Sequence, residues 1–305
     1  MSGKVFAEGE LALGLGGAPL GGLFSSVSER EADDTVEAAF DAGIRYFDTA
    51  PFYGHGVGEI RLGEALSSYP RDEFVLSTKV GRVLVPVNGD AVEDHQYRDV
   101  LPMNPVFDFS ADGIRRSFES SLERLGLDRI DIALVHDPDD HREAALEEAF
   151  PALTKMRDEG LVRAIGAGMN QWEMLLDFVR ETDVDCVLLA GRYTLLDRSA
   201  GETLLPECSK RGVEVLLGGP YNSGILAGGR HYDYDEPPPH VVARAAELRS
   251  VCELHDVPLK AAALQFPLRH DAVSRVVAGA RTPHEVRENV AMMQHSIHPQ
   301  FWKEV

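Results

Sequence analysis

Two hydrophobic periods alternate along the whole chain, and this alternation narrows the fold more than any other feature. Short apolar runs with the length of β-strands occupy residues 11–15, 44–47, 74–76, 130–135, 162–165, 185–189, 213–217 and 274–278. Between several of them the apolar residues fall three and four apart, as on one face of a helix, over residues 30–42, 111–125, 144–159 and 172–181. Start signals agree with helices there: Ser28 followed by Glu31 has the spacing of a capping box, and Pro206 and Pro283 stand where a first helical turn accepts proline. Eight strands alternating with helices over 305 residues predict an α/β fold, a (β/α)8 barrel of the TIM type forming one domain over residues 1–305. A doubly wound sheet has the same alternation and stays open at this point.

Two segments interrupt the rhythm. Residues 81–108, rich in Pro, Asp and Val, predict a long loop inserted between the third strand and the next helix; connections of that length are usually functional. Residues 230–239 end in Pro237, Pro238 and Pro239 and predict a second surface loop ahead of a helix over 241–255. Each segment follows a strand. In a barrel each therefore lies on the face where the C-terminal ends of the strands meet, which is the face that carries barrel chemistry.

Charge and cysteine usage exclude several classes. A formal net charge of −20 argues against nucleic acid and anionic membranes as partners, because both require a basic face. Cys186, Cys208 and Cys252 are widely spaced and fit no metal-binding pattern; with no export signal in residues 1–10 they predict free thiols in a reducing cytoplasm. No apolar run approaches the roughly 18 residues that span a bilayer. The expected partner is a small molecule, with no resident metal, since no His-x-His stands at an early strand.

Four polar residues stand at strand ends where the predicted barrel would bring them to one mouth. Asp48 ends the second run, with Tyr53 a few residues beyond it before Gly54; Lys79 ends the third and His136 the fourth. Taken singly, each is an ordinary residue: a packing tyrosine, a solvated lysine, a hydrogen-bonded histidine. Together they have a chemical logic. A phenol with an ordinary pKa near 10 is a poor base at neutral pH, and a neighbouring ammonium, itself held by a carboxylate, favours the phenolate. A histidine beside them can orient a substrate oxygen or relay a proton. The set suits moving a proton on or off an oxygen.

Residues 43–50 (Gly-Ile-Arg-Tyr-Phe-Asp-Thr-Ala), Tyr53-Gly54, residues 59–63, Ser77-Thr78-Lys79, the helix 117–125 followed by Asp128-Arg129-Ile130-Asp131, and the stretches 160–168 and 279–289 agree in order with one family. The chain resembles an aldo-keto reductase over nearly its full length. The resemblance implies the (β/α)8 barrel, NAD(P) as cofactor, and Asp48, Tyr53, Lys79 and His136 as the catalytic tetrad with Tyr53 the acid/base. It places the pyrophosphate against Gly219, Pro220, Tyr221, Asn222, Ser223, Gly224 and Ile225, and the adenosine against Gly279, Ala280 and Arg281 with Glu285 and Asn289. No Rossmann glycine fingerprint is needed, and the early glycines from Gly14 to Gly22 are turn residues.

The sequence departs from the commonest family pattern around the nicotinamide. Gly168-Met169 replaces Ser-Asn, Ala190 stands for the usual glutamine and Gly218 for a stacking aromatic, leaving Asn170 as the contact for the carboxamide. Glu285 falls where others carry Arg or Gln; a carboxylate there repels a 2′-phosphate and accepts from ribose hydroxyls, which favours NAD over NADP. Arg281 pulls the other way.

Residues 18–24, 136–139 and 166–171 are similar to the branch of the family that oxidises aldoses at the anomeric carbon. By that resemblance Tyr53 takes the anomeric hydroxyl proton of a sugar of the L-fucose, D-arabinose or L-galactose type, giving the lactone. Oxidation of pyridoxal and NADPH-dependent reduction of small aldehydes are the alternatives on the same fold. Substrate-side candidates are Phe52, Asp137 and Trp172, with Tyr97 and His95 in the long loop. Asp137 could equally open a helix and Trp172 could simply pack one.

Overall fold

The computed structural model describes residues 5, 6, 9–88, 91, 92 and 96–305. In chain order the strands are β1 (Leu13–Gly16), β2 (Tyr46–Asp48), β3 (Val75–Val80), β4 (Arg82–Pro86), β5 (Met103–Phe107), β6 (Ile132–His136), β7 (Ala164–Met169), β8 (Cys186–Ala190), β9 (Glu214–Gly218) and β10 (Val273–Gly279). All except β4 and β5 close into one parallel barrel in the order β1-β10-β9-β8-β7-β6-β3-β2. Closure by β1 against β10, with Leu13 opposite Val276, removes the doubly wound alternative.

The helices are α1 (Glu29–Asp41), α2 (Val57–Leu66), α3 (Ala111–Leu125), α4 (Arg142–Ala144), α5 (Phe150–Asp158), α6 (Trp172–Glu181), α7 (Leu204–Arg211), α8 (Pro239–Leu254), α9 (Leu259–Gln265) and α10 (Pro283–Gln294). The predicted cap of α1 forms: Ser28 Oγ accepts from the Glu31 N–H at 3.2 Å, and Glu31 Oε2 accepts from the Ser28 N–H at 2.9 Å. Pro283 is the first residue of α10, and Pro206 lies in the first turn of α7. The predicted helix over 144–159 is instead α4 and α5 joined through a π-helical turn, Ala145–Ala149. No helix among the described residues is long and apolar enough to cross a membrane, and all three cysteines are buried and unpaired.

Apolar side chains fill the shell between barrel and helices, Phe47, Leu76, Val135, Ile165, Leu189 and Leu217 facing outward into it. One approach in this shell is backbone to backbone. A Cβ on Gly63 of α2 would lie 1.9 Å from the Leu125 carbonyl oxygen, so only glycine lets α2 and α3 pack there. Inside the barrel, Val5 and Phe6 close the N-terminal end against Tyr46, Ile132, Leu134, Cys186 and Leu216. The Val5 N–H donates to Glu214 Oε1 at 2.8 Å. The interior above that plug turns polar, and it opens at the C-terminal ends of the strands.

Residues 81–108 differ from the expected loop. Within them β4 and β5 pair antiparallel from Arg82 opposite Phe107 to Pro86 opposite Met103. The partners are separated by residues 87–102, so no short turn advertises the hairpin; its prolines are tolerated because a two-stranded ribbon consists of edges. His95 lies outside the described residues.

Candidate active site

β2 and β3 run side by side with Asp48 opposite Ser77, and a buried hydrogen-bond chain links their inward side chains. Lys79 Nζ donates to Asp48 Oδ2 at 2.8 Å and to the Thr49 carbonyl at 2.9 Å. Ser77 Oγ donates its single proton to Asp48 Oδ1 at 2.7 Å, which leaves the Tyr46 hydroxyl to donate to Ser77 Oγ at 2.9 Å. A desolvated carboxylate needs this many partners to remain charged beside its ammonium. Tyr53, in the turn after β2, lies with its ring under that ammonium: Lys79 Nζ is 4.7 Å from the ring centroid. His136, the last residue of β6, meets the same ring edge-on with centroids 6.1 Å apart.

The expected depression of the Tyr53 pKa is not found. Burial, then the charge of Asp48, raises it well above the ordinary phenol value, with Arg82 acting in the opposite direction. The physical reason is that Lys79 is committed to Asp48 and Thr49 and approaches the ring face, while the phenol oxygen has no hydrogen bond to any described residue. Tyr53 is therefore a neutral phenol in the protein alone. His136 is also neutral at physiological pH: burial pushes its pKa well below the usual value, helped by Arg82 and Lys79, and its Nδ1 is buried with no hydrogen-bond partner among the described residues.

Arg82, at the start of β4, closes one wall. Its guanidinium lies 4.5 Å from the Phe52 ring and 4.8 Å from the Phe107 ring and donates to Asp137 Oδ2. The same Asp137 oxygen is 3.4 Å from His136 Nε2. Asp137 holds a left-handed backbone (φ 42°) directly after β6, whereas α4 begins only at Arg142. It faces the cavity and does not open the helix.

A cavity of about 1120 Å³ runs from this wall across the barrel mouth to the start of α10. Phe52, Tyr53, Lys79, Tyr97, His136 and Asp137 line its first end. Its middle is floored by Asn170, whose Nδ2 donates to the Ala190 carbonyl at 3.1 Å, and by Gly218 to Gly224. Asn222 and Ser223 sit at φ 46° and 59° and Gly224 at 110°, a backbone that folds back on itself as anion-binding nests do. Asn222 Oδ1 there is buried with no hydrogen-bond partner among the described residues. At the far end are Arg281, His284, Glu285 and Asn289. Glu285 Oε2 accepts from the Arg281 N–H at 2.7 Å, Arg281 Nη2 donates to the Leu23 carbonyl at 3.1 Å, and Asn289 Oδ1 accepts from the Tyr221 hydroxyl at 2.7 Å.

The family model described as the aldo/keto reductase family matches residues 12–305. The chain is an aldo-keto reductase. It is 44% identical over 306 residues to a D-threo-aldose 1-dehydrogenase from a Pseudomonas species, covering 96% of this chain and 92% of that protein. It is 42% identical over 314 residues to a pyridoxal 4-dehydrogenase from Microbacterium luteolum, covering 95% and 92%. Among solved structures, the holo form of an aldo-keto reductase from Bacillus halodurans superposes with a TM-score of 0.77 at 24% identity, covering 96% of this chain and 91% of that one. Aldo-keto reductases are oxidoreductases that use nicotinamide cofactors, and the long cavity, its folded backbone nest and the unpartnered Asn222 Oδ1 and Arg281 Nε fit such a group.

Within this aldo-keto reductase most of the sequence candidates converge on one cavity, but three do not line it. Ile225 is buried among the apolar residues beneath the nest, with Leu195, Val241 and Phe266. Ala280 is buried in the shell between barrel and helices, so its side chain faces away from the cavity. Trp172, at the start of α6, packs partly buried against that same shell. In the opposite direction, sequence reasoning missed Arg82, Lys260 and Tyr234, all of which line the cavity. Arg82 follows Lys79 by three residues, yet only the β4–β5 pairing aims it back at the mouth. Met169 packs in the shell between barrel and helices, and it also lines the cavity together with Gly168 and Asn170 on either side of it.

Proposed function

We propose that this aldo-keto reductase oxidises the anomeric hydroxyl of an uncharged aldose, with NAD as the preferred cofactor and Tyr53 as the proton-transfer residue. The observation that carries the reading is the convergence of Tyr53, Lys79 and His136 on one cavity with Asp48 fixing Lys79 at 2.8 Å. The choice of an aldose is supported by the 44% identity to a D-threo-aldose 1-dehydrogenase. The preference for NAD is supported by Glu285, whose carboxylate faces the cavity beside Arg281 and opposes a 2′-phosphate.

A bound oxidised nicotinamide supplies the hydride acceptor and brings a positive charge into the cavity. Gly218 to Gly224, Asn170, Arg281, Glu285 and Asn289 would hold the cofactor. His136, being neutral, offers a ring nitrogen to the reacting oxygen without adding charge. Tyr53 exchanges the proton with that oxygen: as the neutral phenol it donates in the reducing direction, and it must lose its proton before it can accept one in the oxidising direction. Lys79, held by Asp48, keeps an ammonium against the ring face and so stabilises the phenolate as it forms. Asp48, Lys79 and His136 are buried, so the ion pair and the imidazole are shielded from bulk water while Tyr53 faces the cavity.

The direct test is a panel of D-arabinose, L-fucose, L-galactose and pyridoxal with NAD+ and NADP+, run beside Tyr53→Phe. Turnover of an aldose with NAD+, lowered by about 10²–10⁴-fold in the variant, is expected. Preferential oxidation of pyridoxal would replace the aldose, a reading favoured by the 42% identity to a pyridoxal 4-dehydrogenase. Retention of more than about a tenth of kcat in Tyr53→Phe would remove Tyr53 from the proton transfer.

A further inference from the structure

One side chain lining the cavity has no part in the scheme above, and its backbone is strained to hold it there. Tyr234 lines the cavity from the loop after β9. It is the second central residue of a tight turn in which the Tyr232 N–H donates to the Asp235 carbonyl at 2.9 Å and the Asp235 N–H to the Tyr232 carbonyl at 3.0 Å. Both central residues are left-handed, Asp233 at φ 48° and Tyr234 at φ 67°. Turns of this kind take Asn-Gly or Asp-Gly, because a Cβ is strained in the left-handed region and short polar side chains relieve it locally. Asp233 suits its position. Tyr234 does not.

Packing does not offset that strain. Tyr234 is 44% exposed and stacks on no other ring among the described residues. The turn is nevertheless anchored at two points: Arg192 Nη1 donates to Asp233 Oδ1 at 2.8 Å, and the Tyr234 N–H donates to Ser223 Oγ at 2.9 Å. These bonds fix where the side chain goes. Desolvation against the cavity wall, then the charge of Asp137, raises its phenol pKa, while Lys79 lowers it. Tyr53 feels Tyr234 in turn. Tyr234 shares the cavity with Tyr53 and Asp137, and with its pKa raised it presents a neutral hydroxyl there. Strain that persists at a ligand site without a packing role points to a ligand contact.

We propose that Tyr234 is a specificity-determining residue that hydrogen-bonds a ring hydroxyl of a polyhydroxylated, uncharged substrate whose reacting oxygen lies at Tyr53. The proposal rests on the aldose reading and names the class of group that this wall selects. Arg82 and Asp137 neutralise each other across the same wall, so it offers no net charge for a carboxylate or phosphate. A hydroxyl contact discriminates strongly, because an analogue lacking the hydroxyl leaves the phenol unpaired.

The test compares the full-length protein with Tyr234→Phe and Tyr234→Gly, at saturating NAD+, on the best aldose of the panel and on its mono-deoxy analogues. Tyr234→Phe is expected to raise KM for the aldose about tenfold or more, with kcat and NAD+ affinity little changed. One deoxy analogue, the one lacking the bonded hydroxyl, should show no such rise. Tyr234→Gly relieves the backbone strain, so its melting temperature should hold or rise while KM increases. An unchanged KM in Tyr234→Phe, beside a Tyr53→Phe variant that has lost turnover, would overturn this proposal and leave the aldose reading standing. A drop in melting temperature for Tyr234→Gly would make the residue a structural one and overturn it too. If the wild type oxidises no aldose, the functional reading itself fails, and this inference with it.

Discussion

Lys79 is bonded to Asp48 at 2.8 Å while its ammonium stands 4.7 Å over the centre of the Tyr53 ring. One cation therefore serves two purposes, neutralising a buried carboxylate and presenting positive charge to the face of the tyrosine. With Lys79 held in this way, the phenol oxygen has no hydrogen bond to any described residue and faces the cavity.

Breaking that pair should be costly. Asp48→Asn leaves the Lys79 charge buried without its carboxylate and is expected to destabilise the protein by about 3–5 kcal/mol, read from urea denaturation. Replacing both, Asp48→Asn with Lys79→Met, should recover part of that loss, because no unpaired charge then remains. Neither variant should turn over substrate at more than a small fraction of the wild-type rate. Equal stability of Asp48→Asn and wild type would show that the pair contributes nothing to the fold.

The direction of the Tyr53 shift sets an asymmetric pH dependence. With its pKa raised above the phenol value, the acid form dominates throughout the neutral range. Oxidation should thus gain up to about tenfold in kcat/KM per pH unit between roughly pH 7 and 9, while reduction of the corresponding aldehyde stays flat. A stopped-flow measurement of the hydride step in both directions checks this. Parallel profiles would remove Tyr53 from proton transfer.

His136 has a different signature, in stability. Its folded pKa lies below the unfolded value near 6.5, so below that pH the unfolded chain binds a proton that the folded chain refuses. Stability is then complete above about pH 6.5 and falls as pH drops towards the folded pKa. His136→Gln should flatten the acid side of a melting-temperature profile between about pH 6.5 and 5. An unchanged slope would assign the acid sensitivity to other groups.

Glu285 should decide between the two cofactors. On the proposed reading, Glu285→Arg replaces a carboxylate that repels a 2′-phosphate by a cation and is expected to shift the kcat/KM ratio towards NADP+ by about tenfold or more, equivalent to about 1.4 kcal/mol. Glu285→Gln is the control, since it keeps an acceptor for the Arg281 N–H while removing the charge. If wild type already prefers NADP+, the assignment of Glu285 is wrong.

Much of the site was legible because a barrel converts strand order into proximity. Asp48 and His136 each end a strand and Lys79 is the last residue but one of β3, and parallel closure brings all strand ends to one mouth whatever the loops do. The strands themselves run further than the apolar runs suggest: β3 continues through Ser77, Thr78 and Lys79, and β6 through His136. Polar residues mark the end of a hydrophobic period, but here they belong to a buried network that only its members can satisfy. Position within a motif was less informative. Ala280 and Ile225 sit in the right stretches for cofactor contacts, yet the alternation of side chains turns them into the core.

By itself, then, the sequence determined the barrel, the cap of α1 and the meeting of Asp48, Tyr53, Lys79 and His136 at one mouth, since periodicity, capping and strand ends are local properties of a chain. Tertiary structure decided the rest. The protonation of Tyr53 depends on burial and on which groups Lys79 already serves. The Arg82–Asp137 wall depends on pairing β4 with β5 across residues 87–102, and Tyr234 reaches the mouth only because a strained turn, tied to Arg192 and Ser223, aims it there. Each of these follows from contacts between residues far apart in the chain, and such contacts leave no period in the sequence.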